Sequence, residues 1–363
     1  SCSVRIWSGD RAMKVVVGIS GGIDSAVAAA LLLDRGFEVV GVHLRIHSYP
    51  EVRKRIKRIA TALGIDCLSL EVGDLFRMKV LLPFFDDHRK GLTPNPCVIC
   101  NEEVKFASLL STAREVGAKK IATGHYARIF VDPGGPALGR CFDRDKDQSY
   151  MLYRLPPRSL GNILFPLGGM TKGAVRELGE RRFPGLFDGV AESNDICFIP
   201  RGELADAVER AAGPFPSGRV VALNGEVLGM HRGLNRFTVG QRKGHSLSGG
   251  PWFVVEKRVN ENELVVGRKC DLVVERVTCG DPVWHGEPAS VLLLEGCTRY
   301  RGRSSPCIME YADAQGFACR FPEGVSGVAP GQSLVLYYND RVFGGGIIKT
   351  AKKGGPSGHE EHR

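Results

Sequence analysis

The chain has 363 residues, 43% hydrophobic and 25% charged, an ordinary balance for a globular protein with room for two or three domains. No apolar run reaches the ~20 residues that span a bilayer, and the first twelve residues hold no hydrophobic signal core, which points to a cytoplasmic protein with no membrane role. The net charge of +9 favours a polyanionic partner, and eleven cysteines, an odd number, suggest reduced thiols that do chemistry or bind metals rather than a disulfide scaffold.

Met13 reads as a start just before the first strand, which makes Ser1–Ala12 an extension. Lys14–Ile19 is a strand, and Asp24–Arg35 a helix closed by Gly36. Glu38–Leu44 is a strand, and Glu51–Leu63 a helix closed by Gly64. Cys67–Val72 is a strand, Glu102–Val116 a helix closed by Gly117, and Lys119–Thr123 a strand. Glycine just past a helix is the ordinary stop signal. Repeated strand–helix–strand units predict a parallel sheet covered on both faces, with ligands beyond the carboxyl ends of the strands. The loop after Ile19 and Gly124-His125 after Thr123 both fall at that edge.

The loop itself is Ser20-Gly21-Gly22-Ile23-Asp24-Ser25. Two glycines let the backbone bend sharply and approach a ligand closely. Hydroxyls and the N–H groups at the helix start then face an anion, with phosphate the natural choice. The Walker pattern G-x-x-x-x-G-K-[ST] is absent. The motif resembles instead the pyrophosphate loop of enzymes that split ATP into AMP and pyrophosphate.

Past about Arg201 the pattern becomes β-rich. Val220–Val227 and Trp252–Lys257 read as short strands among glycine turns. Ser290–Leu294, Gly316–Phe321 and Ser333–Tyr338 then predict a small barrel or sandwich. Basic residues cluster at Arg53–Arg58 and Arg299–Arg303, each either a polyanion contact or a solvated face.

Two thiols stand three positions apart in Pro94-Asn95-Pro96-Cys97-Val98-Ile99-Cys100-Asn101, and a third follows in Ser193-Asn194-Asp195-Ile196-Cys197-Phe198. Thiols at this spacing bind metals, exchange disulfides or relay sulfur, or sit inert in a core. The remaining cysteines have no such spacing. These blocks occur in order with Val104-Lys105-Phe106, Thr123-Gly124-His125-Tyr126-Ala127, Lys146-Asp147-Gln148-Ser149-Tyr150 and Thr238-Val239-Gly240-Gln241-Arg242-Lys243-Gly244. Together, from about Met13 to about Thr350, the chain resembles the bacterial tRNA-specific 2-thiouridylases, which place sulfur on C2 of the wobble uridine.

The resemblance implies an adenine nucleotide alpha hydrolase-like α/β domain over 13–205, with a pyrophosphate loop and a parallel sheet. It implies a small central β-rich domain over 206–271 and a tRNA-contacting β-barrel over 272–352; the tail, 353–363, is polar and glycine-rich and reads as disordered. It implies ATP and Mg2+ as cofactors, with Gly18, Ser20, Gly21, Gly22, Asp24, Ser25, Leu44 and Gly124 at the nucleotide. Asp24 joins Cys100, at the nucleophile position, and Cys197, the persulfide carrier, as catalytic residues. Asn95, Pro96 and Cys97 would meet the target base. His125, Lys146, Asp147, Gln148, Arg299, Tyr300 and Gln332 would contact tRNA. A sulfur-donor protein or sulfide source is the second implied partner. One departure stands out: the family has aspartate where this chain has Cys97. Cys97, Cys100 and Cys197 could thus hold a 4Fe–4S cluster with one open iron, or Cys97 is a plain substitution in a persulfide enzyme. Zinc fits less well, lacking a fourth protein ligand. The segment around His47–Glu51 is also shortened. The other readings are an amide-forming synthetase built on the same loop, and an RNA-binding or redox-sensing protein without catalysis.

Overall fold

The computed structural model describes residues 13–46, 49–190, 196–200, 202–244, 247–288 and 293–353. Residues 1–12, His47 and Ser48, Ser193–Asp195, the first part of the strand expected at Ser290–Leu294, and nearly all of the polar tail lie outside these.

The N-terminal part is built on strands β1 (Lys14–Gly18), β2 (Glu38–Arg45), β3 (Cys67–Glu71) and β4 (Lys120–Ala122), then a hairpin of β5 (Arg128–Asp132) and β6 (Gly135–Gly139), then β7 (Ile163–Leu164). Five of these form a parallel sheet in the order β3-β2-β1-β4-β7. Its central strand holds Val15, Val16 and Val17, all fully buried, because helices cover both faces. Helix α1 (Ile23–Asp34) follows β1 directly. Helix α2 (Pro50–Leu63) ends on Gly64 at φ +64°, the left-handed stop that the sequence predicts.

Two departures bear on the site. The expected helix Glu102–Val116 starts earlier and is irregular, running as Pro96–Ile99, a π-helical stretch Cys100–Phe106 and Ala107–Glu115. Pro96 occupies its first turn, and Asn95 Oδ1 accepts the Cys97 N–H at 3.2 Å, so the start is capped as a helix should be. The second departure is a helix absent from the sequence reading, Lys172–Arg182, capped by Thr171 Oγ1 accepting the Ala174 N–H at 3.2 Å. It crosses α1 closely at Gly179, where an added Cβ would lie 2.4 Å from Ile23 Cδ1.

The central part is a four-stranded sheet of β8 (Gly218–Ala222), β9 (Val227–His231), β10 (Phe253–Arg258) and β11 (Glu263–Gly267), ordered β10-β11-β8-β9. The expected strand Val220–Val227 is thus two strands joined by a turn at Leu223-Asn224. The C-terminal part comprises β12 (Val273–Trp284), β13 (Leu293–Cys297), β14 (Ser305–Ala312), β15 (Gly316–Ser326), β16 (Ser333–Tyr338) and β17 (Arg341–Lys352). β12 pairs with both β15 and β17, which closes the sheet into a barrel around Phe317, Phe321, Leu334 and Leu336. The β5–β6 hairpin joins this sheet through Arg341 opposite Gly139. One core therefore runs continuously from Val16 and Leu109 through Tyr150 and Tyr153 to Val335 and Tyr337. The barrel is fixed against the parallel sheet. Among the described residues no helix is long and apolar enough to cross a membrane.

Candidate active site

The glycine loop is organised by its own hydroxyls. The Gly22 N–H donates to Ser20 Oγ (3.3 Å), Ser20 Oγ donates to Ser25 Oγ (3.2 Å), and Ser25 Oγ donates to the Gly22 carbonyl (2.9 Å). The Ser20 N–H closes the ring on Ser25 Oγ at 3.2 Å. Helix α1 begins at once, with Gly22 as its N-cap and no side chain capping it. Its first N–H groups therefore need an outside acceptor, and an anion supplies one. Gly124, at the end of β4, makes the fit possible: an added Cβ there would lie 2.7 Å from both the Asp24 carbonyl carbon and the Ser25 nitrogen.

Asp24 opens the helix and meets two residues that the sequence reading did not assign. Lys172 Nζ donates to Asp24 Oδ1 (2.6 Å) and Oδ2 (2.8 Å), and the Tyr126 hydroxyl donates to Oδ1 (2.8 Å). Lys172 is only 8% exposed and reaches the site from the helix missed in sequence. The lone clue was a basic residue after Met170-Thr171 at a helix start.

The loop lies in a cleft of ≈ 920 Å³ between the sheet edge, the Pro96–Phe106 helix and the barrel. Gly18, Ser20, Gly22, Asp24, Ser25, Leu44 and Gly124 line the end formed by the glycine loop. Gly21 belongs to the loop but turns outward against α2. Asn95, Pro96, Cys97, His125, Lys146, Gln148, Tyr300, Gln332 and Cys197 line the rest. Gln332 Nε2 donates to the Thr93 carbonyl (2.8 Å), tying the barrel to the loop before Pro96. His125 Nδ1 pairs with Thr123 Oγ1 at 2.8 Å, and burial together with the nearby Lys105 charge pushes its pKa down to about 3, so it is neutral at physiological pH.

Besides Gly21, three expected residues lie off the cleft wall. Asp147 is turned into the structure, accepting the Cys141 N–H (2.8 Å) and the Ser149 hydroxyl (2.6 Å). Arg299 is exposed outside the cleft. Its neighbour Arg301 takes the place, held at φ +57° with its guanidinium 5.3 Å from the Tyr300 ring centroid. That left-handed backbone is costly for arginine and marks a position set by surrounding structure. Cys100 is 4% exposed and packs with Val72, Phe76, Val80 and Val104.

Cys97, Cys100 and Cys197 are close enough to influence one another's charge, and Lys105 sits among them. Burial raises both Cys97 and Cys100 thiols, Cys100 to about 11. Burial alone would lower the Lys105 ammonium, yet the three thiols outweigh it and hold its pKa above the ordinary value. In the sequence Lys105 stands out only as part of a motif. Among the described residues no three His, Cys, Asp or Glu side chains converge closely enough to hold a metal ion. As placed, the three thiols form no preformed 4Fe–4S site: Cys100 lies in an apolar cluster behind the cleft wall and Cys197 is exposed. Asp24 is the one carboxylate on the described cleft wall, and both its oxygens already accept hydrogen bonds. The described residues of the cleft therefore form no Mg2+ site of their own.

Comparison with known proteins follows this division of the chain. A "tRNA methyl transferase HUP domain" family matches residues 13–201, a "tRNA methyl transferase PRC-barrel domain" 206–268, and an "Aminomethyltransferase beta-barrel domain" 274–348. The tRNA-specific 2-thiouridylase MnmA of Sorangium cellulosum is 41% identical, covering 93% of this chain and 92% of its own length. The enzyme of the same name from Syntrophotalea carbinolica is 40% identical over 93% and 99%. A bifunctional NifU/MnmA protein of Rubrobacter xylanophilus is 42% identical over 92% and 69%. The chain belongs to the tRNA-specific 2-thiouridylase family.

Proposed function

We propose that this enzyme replaces the C2 oxygen of the wobble uridine of tRNA with sulfur, in a reaction driven by cleavage of ATP to AMP and pyrophosphate. The observation that carries this reading is that the glycine loop and Cys197 open on the same cleft. A pocket of this size suits a nucleotide together with one extruded base.

The uracil O2 attacks the α-phosphate of ATP, the bond to pyrophosphate breaks, and C2 is left carrying AMP as its leaving group. The open start of α1 and the Lys172 ammonium stabilise the charge that collects on departing pyrophosphate. A sulfur-donor protein or sulfide source loads Cys197 as a persulfide, and its exposed position suits such a delivery. The terminal sulfur attacks C2 and AMP leaves. The Cys100 thiolate then attacks Cys197 Sγ, the S–S bond breaks, and its electron pair stays with the sulfur on C2. A Cys100–Cys197 disulfide remains and needs two electrons from a thiol reductant before the next cycle. Burial keeps Cys100 protonated until then, and Lys105 stabilises its thiolate once exposed.

Tyr300, Arg301, Gln332, His125, Lys146 and Gln148 would hold the anticodon loop around the entering base. The test is a purified reaction with unmodified tRNA, ATP and a persulfide donor, scored for AMP and for 2-thiouridine by nucleoside mass spectrometry. AMP released equally without tRNA, or tRNA returned without 2-thiouridine, would overturn the reading.

A further inference from the structure

The basic run Arg53–Arg58 on α2 divides in the structure. Arg53, Lys54 and Lys57 face a separate groove of ≈ 740 Å³ between α2 and β3, and Lys54 pairs with Glu51 at 2.8 Å. Arg55 faces the other way, since two positions along a helix turn a side chain by about 200°. Its Nε donates to the carbonyl oxygen of Gly21, in the glycine loop, at 2.6 Å.

Three residues of one helical face close over that glycine. An added Cβ at Gly21 would lie 3.2 Å from Val52 Cγ1 and 3.4 Å from Ile56 Cγ1. Val52, Arg55 and Ile56 are the i, i+3 and i+4 positions that share a stripe. Gly21 itself has φ +83°, a conformation that orients its carbonyl where an ordinary residue would be strained. Ser20, Gly22, Asp24 and Ser25 line the cleft, and Gly21 does not.

A peptide unit is planar and trans, so its C=O and N–H point in opposite directions. With the Gly21 oxygen held on Arg55, the following N–H of Gly22 turns the other way and meets Ser20 Oγ at 3.3 Å. A loop that receives a polyphosphate must keep carbonyl dipoles away from it and offer N–H groups instead. We propose that Arg55 is a positioning residue for this loop: its guanidinium holds the Gly21 carbonyl out of the cleft and keeps the loop in its anion-accepting form. The proposal rests on the reading of the cleft as an ATP site.

The experiment compares wild type, Arg55→Gln and Arg55→Lys in tRNA-dependent AMP formation, with direct titration of ATP and, separately, of tRNA. A charge-assisted hydrogen bond of this kind corresponds to an effect of about ten-fold or more in affinity. Arg55→Gln should raise KM and Kd for ATP by about ten-fold, with kcat falling much less and tRNA affinity unchanged. Arg55→Lys, which keeps a cationic donor, should recover part of the ATP affinity. A KM for ATP within two-fold of wild type in Arg55→Gln would overturn the proposal, as would a lysine variant no better than the glutamine variant. A loss confined to tRNA affinity would reassign Arg55 to the RNA surface. Failure of the wild-type protein to bind ATP at all would instead remove the ATP reading, and this inference with it.

Discussion

Replacing Lys172 by methionine keeps the length of the side chain and deletes its charge. Asp24 then loses two of its three hydrogen bonds, at 2.6 and 2.8 Å, and keeps that of Tyr126. The pair is neither buried nor on the surface: the Lys172 side chain is 10% exposed and that of Asp24 34%. Breaking a fully buried pair costs about 3–5 kcal/mol, and exposed pairs contribute about 0.2–1. Solvent reaches a third of the aspartate, so about 1–2 kcal/mol is the expected loss. In a domain of this size that lowers Tm by about 2–4 °C per kcal/mol. The effect on rate should be larger. A preorganised charge at the departing group is worth about 100- to 1000-fold in kcat, or roughly 2.7–4 kcal/mol. Single-turnover pyrophosphate release at saturating ATP and tRNA measures this, with thermal unfolding followed on the same samples. Asp24→Asn and the double variant complete a cycle, and the two sites should couple by about 0.5–3 kcal/mol. If Lys172→Met unfolds several degrees earlier yet keeps kcat within three-fold, Lys172 is a structural partner of Asp24 and the catalytic assignment fails.

Cys197→Ser should abolish 2-thiouridine while leaving one tRNA-dependent round of pyrophosphate release, since activation precedes sulfur transfer; 2-thiouridine at wild-type yield would refute the persulfide role. Changing Arg299, Arg301 and Arg303 together to glutamine should weaken tRNA binding and flatten the slope of log affinity against log salt by about 0.7–0.9 for each phosphate no longer neutralised; an unchanged slope would leave the cluster as a solvated face. Burial, with Lys257 nearby, depresses the His88 pKa to about 4 from 6.5. The unfolded chain therefore takes up the proton first, so this contribution is complete above about pH 6.5 and is lost as pH falls toward 4, by about 3 kcal/mol in all. His88→Phe should flatten that acid limb in urea titrations run at successive pH values, and equal acid sensitivity in both proteins would show that other groups set it.

What the sequence could settle was local or periodic. Three consecutive valines identify a strand buried on both faces, and a glycine pair between strand and helix identifies an anion loop, because each follows from the backbone within a few residues. Asn95 and Pro96 carry a helix-start signal too, but the apolar period places that start at Glu102, and nothing nearby announces the π-helical stretch between. The position of Cys100 behind the cleft wall, rather than on it, depended on packing against Phe76 and Val80 from another helix. Lys172 meets Asp24 across 148 residues, and Arg55 meets Gly21 across 34. The β5–β6 hairpin joins the barrel that a division by sequence assigns to another domain. Such contacts are set by how α1, α2 and the Lys172–Arg182 helix stack on the sheet. A side chain's neighbours across a packed layer leave no periodic trace in the chain that carries it.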